Sequence, residues 1–175
     1  MKITILGYSG SGKSTIAKKL GEFYTIPVLH IDSVYWIKNW QVRDYDDQLH
    51  IVDDFMNTNL SWVIDGNYRK IYQERRIEEA DLIILMLFNR FSCLYRALKR
   101  YFKYRNKTRP DMGNGCNEKI DWNFVKWILF DGRTKDKKCH YKCIENEYKD
   151  KCVVIKNQRQ LDKFTRAVEK MLSIR

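Results

Sequence analysis

The residues Gly7-Tyr8-Ser9-Gly10-Ser11-Gly12-Lys13-Ser14 spell G-x-x-x-x-G-K-[ST], the phosphate-binding P-loop. Gly7, Gly10 and Gly12 open backbone conformations that side chains close, so successive N–H groups can turn inward onto phosphate oxygens. Lys13 is the point charge for the β- and γ-phosphates of ATP, and the Ser14 hydroxyl suits Mg²⁺. Ser9, Ser11 and Thr15 complete the nucleotide-holding set. The flanks are those the chemistry needs. Residues 2–6 (KITIL) read as a strand, and Thr15 starts a helical pattern whose N-terminal amides and dipole also favour phosphate. On these residues alone, a loop that binds nucleotide without chemistry remains the alternative.

Phosphoryl transfer also needs a metal-holding acid and a group that orients the attacking oxygen. Two carboxylates are placed for this. Asp32 follows a strand predicted over 26–31, and Asp65 follows one predicted over 62–64. In parallel sheets, ligands bind beyond the carboxyl ends of the strands. The bland reading of each Asp is a cap or turn residue. Tyr35, Trp36, Trp40 and Tyr68 cluster around these two positions, as ring-stacking residues or as packing.

The remaining elements follow from periodicity. Ile16, Ala17, Leu20 and Phe23 form the stripe of the first helix. A helix is predicted over 46–57, a polar helix over 71–79, and a doubly buried strand over 82–87. Residues 90–109 carry Arg90, Arg96, Lys99, Arg100, Lys103, Arg105, Lys107 and Arg109 with no acid among them, and the first half has helical spacing. Pro110, Gly113 and Gly115 predict a loop over 108–119, and 121–130 reads as a helix. Residues 132–151 read as charged and irregular, 152–155 as the last strand. Asn157 with Gln160 makes a capping-box-like start for a final helix whose apolar face is Leu161, Phe164, Val168 and Met171. Strands alternate with helices, so the expected class is α/β with a parallel sheet of about five strands.

Composition sets the frame. The 175 residues suit one domain, and 44% hydrophobic content supports a core. A net charge of +11 suits an anionic partner such as nucleotide, phosphorylated substrate or nucleic acid. No apolar run reaches about 18 residues, so no membrane span is expected. No leader pattern precedes the first strand, and a cytoplasmic protein is expected. Five cysteines in such a compartment predict free thiols. Cys139-His140-x-x-Cys143 with Cys116 upstream raises zinc, against irregular spacing and missing C-x2-C pairs.

Asp65-Gly66-x-x-Arg69 resembles the D-G-F-P-R segment after the third strand of adenylate kinases, where the arginine holds the acceptor's phosphate and the aspartate sits near the metal. Here Asn67-Tyr68 replaces Phe-Pro. More closely, residues 7–14, Val28 to Trp36, Trp62 to Tyr68 and Lys107 to Met112 resemble the bacterial DNA topology modulation protein (FlaR-like) family, which is related to adenylate kinases. The resemblance spans nearly the whole chain. It implies a P-loop, nucleoside-monophosphate-kinase-like three-layer fold with strand order 2-3-1-4-5. It also implies a basic lid over about 103–135. Arg96 and Arg100, four apart, then match lid-helix arginines, and Arg105, Arg109 and Arg133 are expected to reach the phosphates when the lid closes.

Two functions are therefore in play. In the first, the chain is a kinase using ATP and Mg²⁺. Lys13, Arg96, Arg100 and Arg133 stabilise the γ-phosphoryl, while Ser14 and Asp65 hold the metal. Asp32 orients or deprotonates the acceptor, and the two aspartates can exchange roles. Arg69 and Arg43 clamp an anionic or nucleotide-like acceptor beside Tyr35, Trp36, Gly66 and Tyr68. In the second, the chain binds nucleic acid, using the interleaved aromatic and basic residues of 90–109.

Overall fold

In the computed structural model, described for residues 1–105, 107–109, 111–113 and 115–172 (backbone alone for 171 and 172), five parallel strands form one sheet. Pro110 and the Met171 side chain, both part of the sequence expectations, lie outside the described residues. The strands are β1 (Lys2–Gly7), β2 (Val28–His30), β5 (Trp62–Asp65), β6 (Leu82–Met86) and β7 (Cys152–Ile155), in the order β2-β5-β1-β6-β7. A short antiparallel ribbon, β3 (Trp36–Ile37) with β4 (Gln41–Val42), is inserted after β2. Setting the ribbon aside, the parallel strands run second, third, first, fourth, fifth, the expected succession.

β1 and β6 sit centrally, and Ile3, Ile5, Leu6, Ile83, Ile84, Leu85 and Met86 are wholly buried. Burial of this kind contributes about 1.5–3 kcal/mol per large side chain. Register decides what meets at the strand ends: His30 lies opposite Asp65, and Ile5 opposite Asp65 on the other side. Since β2, β5 and β1 are parallel neighbours, their carboxyl ends open into one crevice.

The helices are α1 (Lys13–Tyr24), α2 (Ile31–Tyr35), α3 (Tyr45–Thr58), α4 (Gln73–Glu79), α5 (Arg90–Tyr104), α6 (Trp122–Leu129), α7 (Lys135–Glu147) and α8 (Gln158–Leu172). Side-chain caps mark several starts: Asp44 accepts from the Asp46 amide, Asn89 from Ser92, Asp121 from Phe124 and Asn157 from Gln160. Each such cap is worth about 1 kcal/mol. The Gln160 side chain does not close a reciprocal box; its Oε1 accepts from the Lys156 amide instead.

Three expectations are corrected. The second strand is shorter than 26–31, because Ile31 and Asp32 already belong to the helical turn α2. The polar helix expected over 71–79 starts only at Gln73, after Tyr72 at φ +47°. Residues 132–151 are not irregular: they contain α7, which buries Tyr141 and Ile144 and exposes a lysine-rich face. A helix with so narrow an apolar stripe leaves little periodic signal. No helix among the described residues is long and apolar enough to cross a membrane.

Candidate active site

The loop after β1 is shaped by its glycines. Gly7 and Gly10 hold φ of +138° and +77°, and a Cβ at either would lie 2.3 Å from the Met86 carbonyl oxygen or 2.4 Å from that of Cys93. Close packing of the loop on β6 and α5 therefore demands glycine. Gly12 caps α1 at φ +98°, which points the first amides of α1 at the crevice. Lys13 Nζ donates to the Tyr8 carbonyl at 3.1 Å. Burial lowers its pKa, while Asp32 and Asp65 raise it. Ser11 is buried, with its carbonyl accepting from Arg96 at 2.8 Å. Ser9 Oγ accepts from the Trp127 indole at 3.1 Å, and Thr15 faces the crevice.

Ser14 Oγ donates to Asp65 Oδ2 at 3.0 Å. The other oxygen of Asp65 meets His30 Nδ1. Burial lowers the His30 pKa, but the hydrogen bond and charge of Asp65 outweigh it and the net shift is upward. Asp65 is only 4% exposed. Beside it, Asn67 makes a reciprocal pair with the backbone of Gly7, accepting from its N–H at 2.9 Å and donating to its carbonyl at 2.7 Å. The loop after β5 is thereby fastened to the P-loop. Gly66, at φ +136°, passes so close to Ile31 that a Cβ would lie 2.7 Å from its Cβ.

Across the cleft, Tyr68 donates to Asp32 Oδ1 at 2.8 Å. Burial, then the Asp32 charge, push the Tyr68 hydroxyl's pKa up, so it stays a donor. Tyr35 stacks at a tilt on Tyr68 with centroids 4.6 Å apart, and Trp36 meets Tyr35 edge-on at 4.8 Å. Arg76 lies beneath this turn, fully buried. It donates to the carbonyls of Ile71, Gly66 and Tyr68 at 3.2, 3.0 and 3.3 Å, and desolvation brings its pKa down to about 10.

The cleft between these walls holds about 1470 Å³, more than one small ligand needs. Arg96 and Arg100 of α5 both line it. Arg96 lies over the Phe88 ring at 4.2 Å. Arg100 donates to Glu118 Oε1 at 2.7 Å, and Arg109 pairs with Glu118 Oε2 at 2.6 Å and with Asp111 at 2.8 Å. Desolvation, then the neighbouring Arg109, lower the pKa of Arg100. Gly115 and Asn117 meet the turn of the ribbon: the Asn39 amide donates to the Gly115 carbonyl at 3.2 Å and the Trp40 indole to the Asn117 carbonyl at 3.0 Å.

Three arginines expected to meet ligand, Arg43, Arg105 and Arg133, are not among the residues that line the cleft. Arg43 does not line the cleft; its Nε holds the Val34 carbonyl at 2.8 Å. Nor does Arg133, whose guanidinium donates to the carbonyls of Ile128 and Phe88, both at 2.9 Å, and lies 3.8 Å above the Tyr8 ring. Arg133 has spent its planar fork on two carbonyls and the Cys93 sulfur, while Arg43 uses Nε alone. Arg69 lines the cleft, half exposed, and pairs with Asp136 at 3.3 Å. Cys116 donates to the Ile37 carbonyl, Cys139 and Cys143 are exposed on α7, and His140 bonds Gln73 at 2.7 Å. Among the described residues, no three potential metal-ligating side chains of His, Cys, Asp or Glu gather at one point.

The site also contains residues that the sequence reading did not assign to it: His30, Gln73, Glu118 and Trp127, together with Asn67, noted only as a departure from Phe-Pro, and His140, raised only for zinc. His30 carries a signal of a kind, a polar residue ending a strand beside Asp32. Its pairing with Asp65 is set by strand register.

A five-stranded parallel sheet in this order, with the P-loop after its first strand and acids at the ends of its neighbours, defines a P-loop kinase-like fold. No family model matches the chain, and no curated protein is similar to it. Solved structures are. Shikimate kinase from Acinetobacter baumannii, in complex with shikimate, aligns over 99% of this chain and 94% of its own at 16% identity and a TM-score of 0.56. TT1252 from Thermus thermophilus aligns over 99% and 96% at 13% identity and 0.57. An uncharacterized protein from Eubacterium ventriosum aligns over the full length of both chains at 18% identity and 0.48. The first two share the fold, at identities that speak for the fold alone.

Proposed function

We propose that the chain is an ATP- and Mg²⁺-dependent phosphotransferase that moves the γ-phosphoryl group to a small acceptor. The observation that carries this is the joining of Lys13, Ser14 and Asp65 at the P-loop with Asp32 across the same cleft. Ser14 Oγ and Asp65 Oδ2, 3.0 Å apart, are hard oxygens of the kind Mg²⁺ takes alongside phosphates and water. When bound, the ion would neutralise phosphate charge. Lys13 holds the phosphates, the α1 amides bind their oxygens, and Arg96 and Arg100 face the transferring group from α5. Catalysis is then positioning and electrostatics. The likeness to shikimate kinase supports the fold of this reading, and the FlaR-like resemblance and a cytoplasmic location are part of the same proposal.

The test is ATP turnover by the purified chain with Mg²⁺ across an acceptor panel. Acceptor-stimulated ADP formation is expected, with Lys13→Ala removing it. Intact ATP binding with no stimulation over a broad panel counts against the proposal.

One observation favours a second reading. Phe91, Tyr95 and Phe102 stand 73%, 67% and 72% exposed on the basic helix α5, a composition suited to single-stranded nucleic acid. Binding to an oligonucleotide that falls steeply with salt would support it; no binding at low salt would remove it.

A further inference from the structure

Resting on the phosphotransferase reading, we infer that the acceptor is an uncharged, ring-bearing alcohol of the sugar or nucleoside class, with Asp32 as its general base, and not a phosphorylated compound.

A phosphorylated acceptor needs cations on its own side of the cleft. The arginines there are engaged. Arg43 is turned onto the Val34 carbonyl, outside the cleft. Arg69 makes an exposed pair with Asp136 at 3.3 Å. Arg76 is sealed beneath the turn on three carbonyls. Arg109 is held between Asp111 and Glu118. Of the lysines that line the cleft, Lys119 lies over the Trp40 ring and pairs with Asp121, and Lys137 lies over Trp127 with its ammonium on the Asp131 carbonyl, while Lys99 and Lys103 line it from α5.

What faces the acceptor space is instead a carboxylate. Asp32 lines the cleft, close enough to Lys13 for the two charges to interact. Oδ1 is fixed by the Tyr68 hydroxyl, which leaves Oδ2 for a ligand. An acid beside a phosphate dianion repels it, and a phosphate oxygen needs no base. A hydroxyl needs both the orientation and the base. The walls agree: Tyr35, Tyr68 and Trp36 form an aromatic cluster, Trp36 edge-on to Tyr35, suited to packing against a ring. The polar groups opposite are Gln73 and His140, bonded to each other at 2.7 Å. Burial, then Arg69, lower the His140 pKa, so it offers neutral hydrogen bonding of the kind hydroxyls use.

The step balances as follows. The acceptor oxygen forms a bond to the γ-phosphorus of ATP while its proton passes to Asp32 Oδ2. The bond from the γ-phosphorus to the β,γ-bridging oxygen breaks, and its electron pair leaves with ADP.

The experiment measures ADP formation by the full chain with ATP and Mg²⁺ against matched panels: uncharged nucleosides and cyclic polyols, and their monophosphates. The uncharged panel is expected to contain the stimulating compounds. Asp32→Asn should lower the stimulated kcat by about 10²–10⁴-fold, with ATP affinity, measured by calorimetry, changed by less than about threefold. Stimulation by monophosphates above their uncharged counterparts would overturn the assignment, as would an unaltered kcat in Asp32→Asn. If no panel compound stimulates, water serves as the acceptor: a tenfold or greater fall in basal ATP hydrolysis in Asp32→Asn supports the base, and an unchanged rate overturns it. Failure of the wild-type chain to bind ATP is a separate result. It removes the phosphotransferase reading and the acceptor assignment with it.

Discussion

The two sides of the cleft are built differently. On the side proposed for the donor, most of the groups placed for phosphate come from the single stretch 7–15, joined by Arg96 and Arg100 of α5, and most are backbone amides whose direction is set by three positive-φ glycines. On the acceptor side, Asp32, Tyr68, Gln73, Arg109 and His140 come from separate segments of the chain, and all act through side chains. One side is a local conformation and the other a convergence. A local conformation is held by its own sequence. A convergence is held by whatever lies beneath it, here Arg76 under the 66–71 turn, the Asn67 pair with Gly7, and α7 behind His140.

That contrast can be tested from its largest effect downward. Lys13→Ala removes the donor-side charge and should cost about 10³-fold in kcat with any acceptor, roughly 4 kcal/mol in barrier. If the loss appeared with one acceptor class alone, the division into halves would fail.

Arg76→Ala strikes the acceptor scaffold without touching ligand. It removes the Arg76 donors from the carbonyls of Gly66 and Ile71, while that of Tyr68 keeps the Ile71 amide, and stability should fall by about 3 kcal/mol. The measurement is urea denaturation. In the folded fraction, acceptor stimulation should drop while ATP affinity holds; an equal loss of both would show that the turn supports the donor side as well. Tyr68→Phe is milder. Loss of one hydrogen bond to Asp32 should cost about tenfold in acceptor-stimulated kcat, near 1.4 kcal/mol, with ATP binding unchanged.

The smallest effect lies away from both halves. The hydrogen bond from Lys2 pulls the Glu79 carboxyl down; burial opposes this and Arg75 adds to it. Because the folded pKa is lowered, this stabilisation is present above the ordinary value of 4.5 and is lost as pH falls through the folded value. A part-exposed network of this kind is worth less than about 1 kcal/mol. The stability gap between wild type and Glu79→Gln should therefore close on going from pH 7 to pH 3. A gap that widened in acid would reverse the sign.

Legibility followed the same division. Strand, loop and helix at residues 2–24 were readable because every signal lies within one contiguous segment. Asp32 and Asp65 were readable as strand ends, though not what they touch. Arg43 and Arg133 were read as ligand-facing, since an arginine near a site in sequence looks the same whether it meets substrate or a carbonyl. α7 was hidden because Tyr141 and Ile144 are its only two buried positions, and Lys137, His140 and Tyr141 of the cleft were hidden with it.

The sequence by itself determined that a P-loop motif follows the first strand, in an α/β fold with two acids close after neighbouring strands. These are consequences of local backbone preference and hydrophobic period, which short segments encode. Only the tertiary structure decided that Asp65 joins Ser14 to His30, that Tyr68 fixes Asp32, and that the acceptor-side arginines are committed elsewhere. Those facts depend on strand register and on which carbonyl lies within reach of a guanidinium. Both arise when distant segments pack together.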